Sequence, residues 1–216
     1  MAVTFYDYPG APSPRRAKMA LIEKGLDHET IVIDLAEKEQ LTDEFRAVNP
    51  ACTVPALRLE DGTLLGDNQG IIAWLDAAQP EPPLLGRTPT ERGLVASWTA
   101  RCEFEGLMAV AEVVRNMAPQ MKGRAMTGPQ NYEQIPELAM RGAARLQHFW
   151  AVLDERLADR SFIATDDFTW ADITAVATFD FSKVARQRPG DEFKNLHRWR
   201  EAVGERESVA ATLPKR

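Results

Sequence analysis

The spacing of apolar positions changes several times between Val3 and Leu75, and each change marks a separate element. Val3–Tyr8 reads as a strand, and Pro14–Lys24 as a helix with Ala17, Ala20 and Leu21 on one face. The β-branched run Thr30–Leu35 predicts a buried strand, and Thr42–Val48 a short helix. Next comes VPALRLE (Val54–Glu60), a strand-like run followed by Asp61-Gly62, a strong hairpin-turn signal. Asp67-Asn68 then opens a helix with Ile71, Ile72 and Leu75 at helical spacing. The order β-α-β-α-β-β-α predicts a sheet with parallel pairing across its strand–helix–strand unit and helices covering it.

Pro80-Glu-Pro-Pro83 breaks this pattern, because consecutive prolines cannot continue a helix. From about Thr90 onward strand signals nearly vanish. Leu138, Leu146, Phe149, Trp150, Leu153 and Leu157 form one helical stripe, and Ile173, Val176, Ala177, Phe181 and Val184 form another. Pro119 and the stretch Gly128–Pro136 interrupt two long helices. The chain thus divides into an α/β unit over residues 1–82, a linker over 83–89 and an all-helical unit over 90–216. Thr169-Trp-Ala-Asp172 has the spacing of a capping box, flanked by Phe168 and Ile173 at the hydrophobic-staple positions.

Composition narrows the function classes. The 216 residues include 26 Lys and Arg against 32 Asp and Glu, a net charge of −6. That balance argues against nucleic acid or an anionic membrane as partner, since phosphates need clustered cations. No apolar run approaches the roughly 20 residues of a membrane span. Met1–Tyr8 lacks the basic and apolar regions of a signal peptide, so a cytoplasmic chain is expected. Cys52 and Cys102 then read as free thiols in a reducing compartment. His28, His148 and His197 show no metal-ligand spacing, and no metal is expected.

The chemistry concentrates in NPACTVPALRLEDGTLLGDNQGIIAWLD, Asn49–Asp76. A proline at a strand entrance is often a tight-turn or cis position. At Val54-Pro55 it would leave the Val54 N–H and C=O unpaired and facing outward, open to an extended peptide. Asp67 and Asn68 put hydrogen-bonding groups beside an electropositive helix start. Together they suggest a binding edge for a short, charged peptide.

This segment, with YDYPGAPSPRRAKMALIEKG (Tyr6–Gly25) and FTWADIT (Phe168–Thr174), resembles the cytosolic glutathione transferases over nearly the whole chain. PSPRR and LLGRTPTERG look most like a bacterial and fungal branch whose members often lack an obvious catalytic tyrosine, serine or cysteine. The resemblance implies a thioredoxin-like domain followed by an all-helical domain, a homodimer, and glutathione as co-substrate. It implies transfer of the glutathione thiolate to a small, mostly apolar electrophile. Isomerisation, ether cleavage, dehalogenation and peroxide reduction use the same activated thiol, and a non-catalytic binding or assembly module is the alternative from another class.

By the same resemblance, Val54, held outward by Pro55, pairs with the cysteinyl part of glutathione through its main chain. Asp67 and Asn68 receive the γ-glutamyl end, where the family usually has Glu-Ser, or else merely cap a helix. Gln40 falls where a polar residue covers the glycyl carboxylate, or else is solvated loop. The thiolate is expected at the loop Tyr8–Pro14. Ser13 either faces the sulfur or caps the helix, Tyr8 either donates to the thiolate or packs, and main-chain N–H groups with a water are the third possibility. Ala11, Pro12, Ser13 and Pro14 leave no cysteine here, so disulfide exchange through a protein thiol is not expected. Met108, Met117, Met121 and Met126 either line an adaptable electrophile pocket or fill core. Arg115 either steers an anionic substrate or is surface charge, the second being expected; Cys52 is either oxidation-sensitive or, as expected, a packed or idle thiol.

Overall fold

The computed structural model describes residues 3–213. The outermost ends of the two expected units, residues 1–2 and 214–216, lie outside the described residues. Four strands, β1 (Thr4–Asp7), β2 (Glu29–Val32), β3 (Ala56–Arg58) and β4 (Leu64–Leu65), form one sheet in the order β2-β1-β3-β4. β1 and β2 pair in parallel, joined by helix α1 (Pro12–Glu23). β3 runs antiparallel to β1, with Tyr6 opposite Ala56, and antiparallel to β4.

The β3–β4 turn forms as Asp61-Gly62 predicts. Asp61 Oδ1 accepts from the Thr63 N–H at 2.8 Å, and Gly62 takes φ +89°, a conformation closed to most side chains. Alternation along β1 puts Phe5 on one face of the sheet, with α1 and helix α3 (Asn68–Ala78). Tyr6 faces the other way, toward Phe45 of the short helix α2 (Asp43–Val48). Thr42 caps α2, its hydroxyl oxygen accepting from the Phe45 N–H.

Thr30–Leu35 departs from expectation. β2 stops at Val32 and all four of its side chains are exposed; buried Ile33 lies just beyond it. β-branched residues report a fit to pleated backbone rather than depth, and β2 is an edge strand. The second helical stripe is also shorter than predicted. Its helix ends at Phe181, leaving Val184 exposed, while Leu138 on the first stripe is only partly buried.

The rest of the chain is helical: α4 (Pro89–Arg101), α5 (Met108–Met117), α6 (Pro136–Arg156), α7 (Trp170–Phe181), α8 (Lys194–Gly204) and α9 (Glu207–Ala211). One π-helical turn, Cys102–Leu107, joins α4 to α5. Two glycines allow α5 and the π turn to approach α6. A Cβ on Gly142 would stand 2.7 Å from the Ala109 carbonyl oxygen, and one on Gly106 would overlap the Phe149 ring. α7 is buried from Trp170 to Thr178. At its start Asp172 Oδ2 accepts from both the N–H and the hydroxyl of Thr169, each at 3.0 Å, completing the expected capping box.

α1 packs against α7 as well as the sheet, so both halves share one core. Arg15 pairs with Asp180 at 2.7 Å and Arg16 with Glu103 at 2.6 Å, while the Arg16 guanidinium lies over the Trp170 ring. Buried Lys24 bonds Asp76 at 2.8 Å and the carbonyls of Gln79 and Pro82, pinning the proline linker to the end of α1. Among the described residues no helix is long and apolar enough to cross a membrane.

Candidate functional site

The site begins where β1 ends. Tyr8 to Ala11 make a turn closed by the Ala11 N–H donating to the Tyr8 carbonyl at 3.0 Å. The half-buried Tyr8 ring folds over Gly10, whose Cβ position lies 3.2 Å from Tyr8 Cε1. α1 starts at Pro12, earlier than predicted, with Ala11 as N-cap and no side-chain cap. Ser13 is therefore inside the first turn and does not serve as N-cap. A helix start normally offers several free N–H groups. Here Pro12 and Pro14 have none and the Arg15 N–H bonds the Ala11 carbonyl at 3.4 Å. The amide and hydroxyl of Ser13 are the donors that first turn retains.

Ser13 meets the start of α3. Asn68 Nδ2 donates to the Ser13 carbonyl at 3.1 Å and to Ser13 Oγ at 3.2 Å. Asn68 is only 7% exposed, and its Oδ1 is buried with no partner among the described residues. Asp67 is exposed and caps α3, Oδ1 accepting from the Gly70 N–H at 2.8 Å. The next residue, Gln69, donates to Glu103 Oε1 at 2.9 Å, the same oxygen that holds Arg16. The helix start is thus fastened to the π turn of the helical half.

Val54 comes just before β3. The Val54–Pro55 bond is cis, and so is Glu81–Pro82. Continuing the register in which Tyr6 faces Ala56 sets Val54 across from Tyr8. Val54 is half-buried, and neither its N–H nor its C=O takes a main-chain hydrogen bond among the described residues. Asn49 shapes the loop leading to it. Its amide donates to the Thr53 carbonyl at 2.8 Å and accepts from the Ala51 N–H at 3.1 Å.

Ser13 and Asn68 thus bond directly, Asp67 caps the helix that Asn68 begins, and Tyr8 and Val54 stand just past the last paired residues of β1 and β3. Gln40 stands apart, in the 3-10 turn Glu39–Leu41; among the described residues its Oε1 is buried and unpartnered, with no hydrogen bond to Ser13, Asn68, Asp67, Tyr8 or Val54. Sequence reading noted the Asn-Pro pair without giving Asn49 this task. It also missed Glu103, and Asp7, a buried carboxylate at the end of β1 whose Oδ2 pairs with Lys18 at 2.9 Å while Oδ1 has no partner among the described residues.

The α5–α6 connection reaches back to the first half of the chain. Gly128 is buried, its Cβ position 3.7 Å from the Ala51 carbonyl oxygen, so this segment touches the loop before Val54. Arg124 holds it together, donating to the carbonyls of Gln130 and Gly128. Arg115 is not surface charge. It is largely withdrawn from water, bonds the Arg124 carbonyl at 3.0 Å, and burial lowers its pKa. Met108, Met117 and Met126 are exposed, so core filling is not their role; Met121 is partly buried. Cys52 is a packed thiol, and burial pushes the Cys102 thiol well above its usual range. Among the described residues no group of His, Cys, Asp or Glu forms a cluster that could hold a metal ion.

Glutathione S-transferase N-terminal domains match residues 11–78, and glutathione S-transferase C-terminal domains match residues 120–207. The chain belongs to the glutathione S-transferase family. It is 32% identical to glutathione S-transferase 2 of Saccharomyces cerevisiae over 96% of its own length and 88% of that protein's. The crystal structure of Gtt2 from the same yeast superposes with a TM-score of 0.88 at 31% identity, covering 97% of this chain and all of that one. A shorter likeness, 35% identity over 42% of each chain, extends to a maleylacetoacetate isomerase of Rattus norvegicus. Like other glutathione S-transferases, this one joins a thioredoxin-like domain with a small mixed sheet to a helical domain.

Proposed function

We propose that this glutathione S-transferase binds glutathione at the ends of β1, α1 and α3 and transfers its thiolate to small, mostly apolar electrophiles. The observation that carries the reading is the direct bonding of Asn68 to Ser13, which joins two helix N-termini, while the main chain of Val54 stays unpaired among the described residues. In this reading the Val54 N–H and C=O, set outward at Pro55, hold the cysteinyl part of the peptide. The first turn of α3, with Asp67 and Asn68, receives the γ-glutamyl end, since helix starts favour carboxylates. Gln40 faces the glycyl end. The Ser13 hydroxyl and amide stabilise the thiolate, with the Tyr8 phenol as a second candidate donor. Lowering a thiol pKa by two units takes about 2.7 kcal/mol, and one charge-assisted hydrogen bond contributes about 1.5–3 kcal/mol.

The exposed methionines and the Gly128 segment form the electrophile's side of the cleft, and the division into residues 1–82 and 90–216 follows these tasks. A homodimer uses the face of α4 and the π turn, where Phe104 is 69% exposed. Trp98 contributes less, being partly buried and stacked by Arg101 and Arg156. The chain is expected to work in the cytoplasm. Glutathione-dependent isomerisation is the second reading, supported by the likeness to the rat isomerase. Retention on immobilised glutathione followed by conjugation of a generic aryl halide tests the proposal. Retention without turnover of any electrophile would favour a carrier, cis–trans turnover of a maleyl ketone alone an isomerase, and no retention would overturn glutathione binding.

A further inference from the structure

Asn68 is placed where its amide can be oriented by chemistry alone. The atom 3.1 Å from the Ser13 carbonyl oxygen must be the nitrogen, because a carbonyl only accepts and a flipped amide would set two acceptors against each other. The same nitrogen faces Ser13 Oγ at 3.2 Å, so the hydroxyl accepts on that side. Its own proton is turned elsewhere, and among the described residues nothing accepts it. Pro12 and Pro14 leave this proton and the Ser13 N–H as the donors of the first turn. Asn68 Oδ1 meanwhile stays buried and unpartnered, which is unfavourable. The nitrogen end is what the amide contributes.

Resting on the glutathione reading above, we propose that Asn68 is a positioning residue that commits the Ser13 hydroxyl to donate outward, to the sulfur of bound glutathione. A hydroxyl held as a donor favours the thiolate, which only accepts, over the thiol, which brings a proton of its own. Asn68 thereby links the recognition end of the site to the reacting atom. A serine or alanine at position 68 would leave the Ser13 proton free to rotate.

The test is a pH titration of the thiolate absorbance of enzyme-bound glutathione in four proteins: wild type, Asn68→Asp, Ser13→Ala and the double variant. The introduced carboxylate accepts the Ser13 proton and turns it inward, so the midpoint of Asn68→Asp should rise by about one unit or more. Ser13→Ala should rise as well. In the Ser13→Ala background, adding Asn68→Asp should move the midpoint by no more than about 0.3 unit, because its route to the sulfur is gone. Equal increments in both backgrounds would show direct charge repulsion and overturn the proposal, as would an unchanged midpoint in Asn68→Asp. If circular dichroism shows that Asn68→Asp does not fold, Asn68→Ala takes its place, with a smaller rise that again disappears without Ser13. Calorimetry on the wild type separates the two failures: no glutathione binding defeats the functional reading, whereas binding with an additive cycle defeats only the role of Asn68.

Discussion

Lys24 shows how one side chain can hold a junction. Its ammonium is buried among the Asp76 carboxylate and the Gln79 and Pro82 carbonyls, so its desolvation is met by three acceptors from the end of α3 and the linker. Lys24→Ala would strand the Asp76 carboxylate and two carbonyls away from water. Breaking a buried pair in this way costs about 3–5 kcal/mol, which urea denaturation should read as a lower midpoint with little change in slope. Nothing near Lys24 in the sequence marks it out, since its partners lie more than fifty positions away. Ser13 and Val54 were legible because prolines flank them and proline chemistry is local. The Asn68–Ser13 bonds were not, because 55 positions separate the pair and either residue alone reads as a helix-start residue.

Caps, turns and close approaches decide the helices. At the start of α7, Asp172 is buried and accepts from the N–H groups of Ile163 and Thr169, the Thr169 hydroxyl and the Trp199 indole. Burial outweighs these bonds and raises its pKa to about 6 from 3.8. The folded state then holds a proton that the unfolded state has released between about pH 4 and 6. Stability from this group is therefore greatest below pH 4 and falls as pH rises toward 6, by on the order of 3 kcal/mol. Wild type should exceed Asp172→Asn by more at pH 4 than at pH 7, and a constant difference across equilibrium unfolding at the two pH values would contradict this. Two glycines give opposite expectations. The Phe149 ring against Gly106 is fully buried and cannot yield, so in Gly106→Ala an overpacking cost of about 1–3 kcal/mol exceeds the propensity gain of about 1 kcal/mol. Around Gly93 in α4 there is open space, and Gly93→Ala should stabilise by about 0.5–1 kcal/mol. Thermal melts of both variants check the signs.

The two halves behave as one body because charged side chains of α1 are buried against the helical half. Arg16 is 3% exposed, and Glu103 is its anionic partner while also accepting from Gln69. Glu103→Ala would leave an uncompensated buried cation and free the start of α3, with a loss of about 3 kcal/mol. Arg16→Met, which removes the charge but keeps the volume, should cost less, and calorimetric scans of the two variants give the order. Glutathione affinity should also fall in Glu103→Ala, since Gln69 adjoins Asn68. An unchanged dissociation constant by titration calorimetry would show that the π turn does not support the site.

Periodicity, proline, Asp-Gly and capping residues act over a few positions, so the amino-acid order was enough to define most elements, the hairpin, the linker and the strand-then-helix division. Those same signals are silent on depth and on distant partners. β2 has the composition of a buried strand and lies on an edge because only β1 pairs with it. Arg115 is a charge that closes a loop from within, and Asn68 spends its donors on Ser13 rather than on solvent. The strand order decided the first, the folding of the α5–α6 connection the second and the packing of α3 against α1 the third, since burial and long-range hydrogen bonds depend on which surfaces meet, and a linear pattern leaves that choice open.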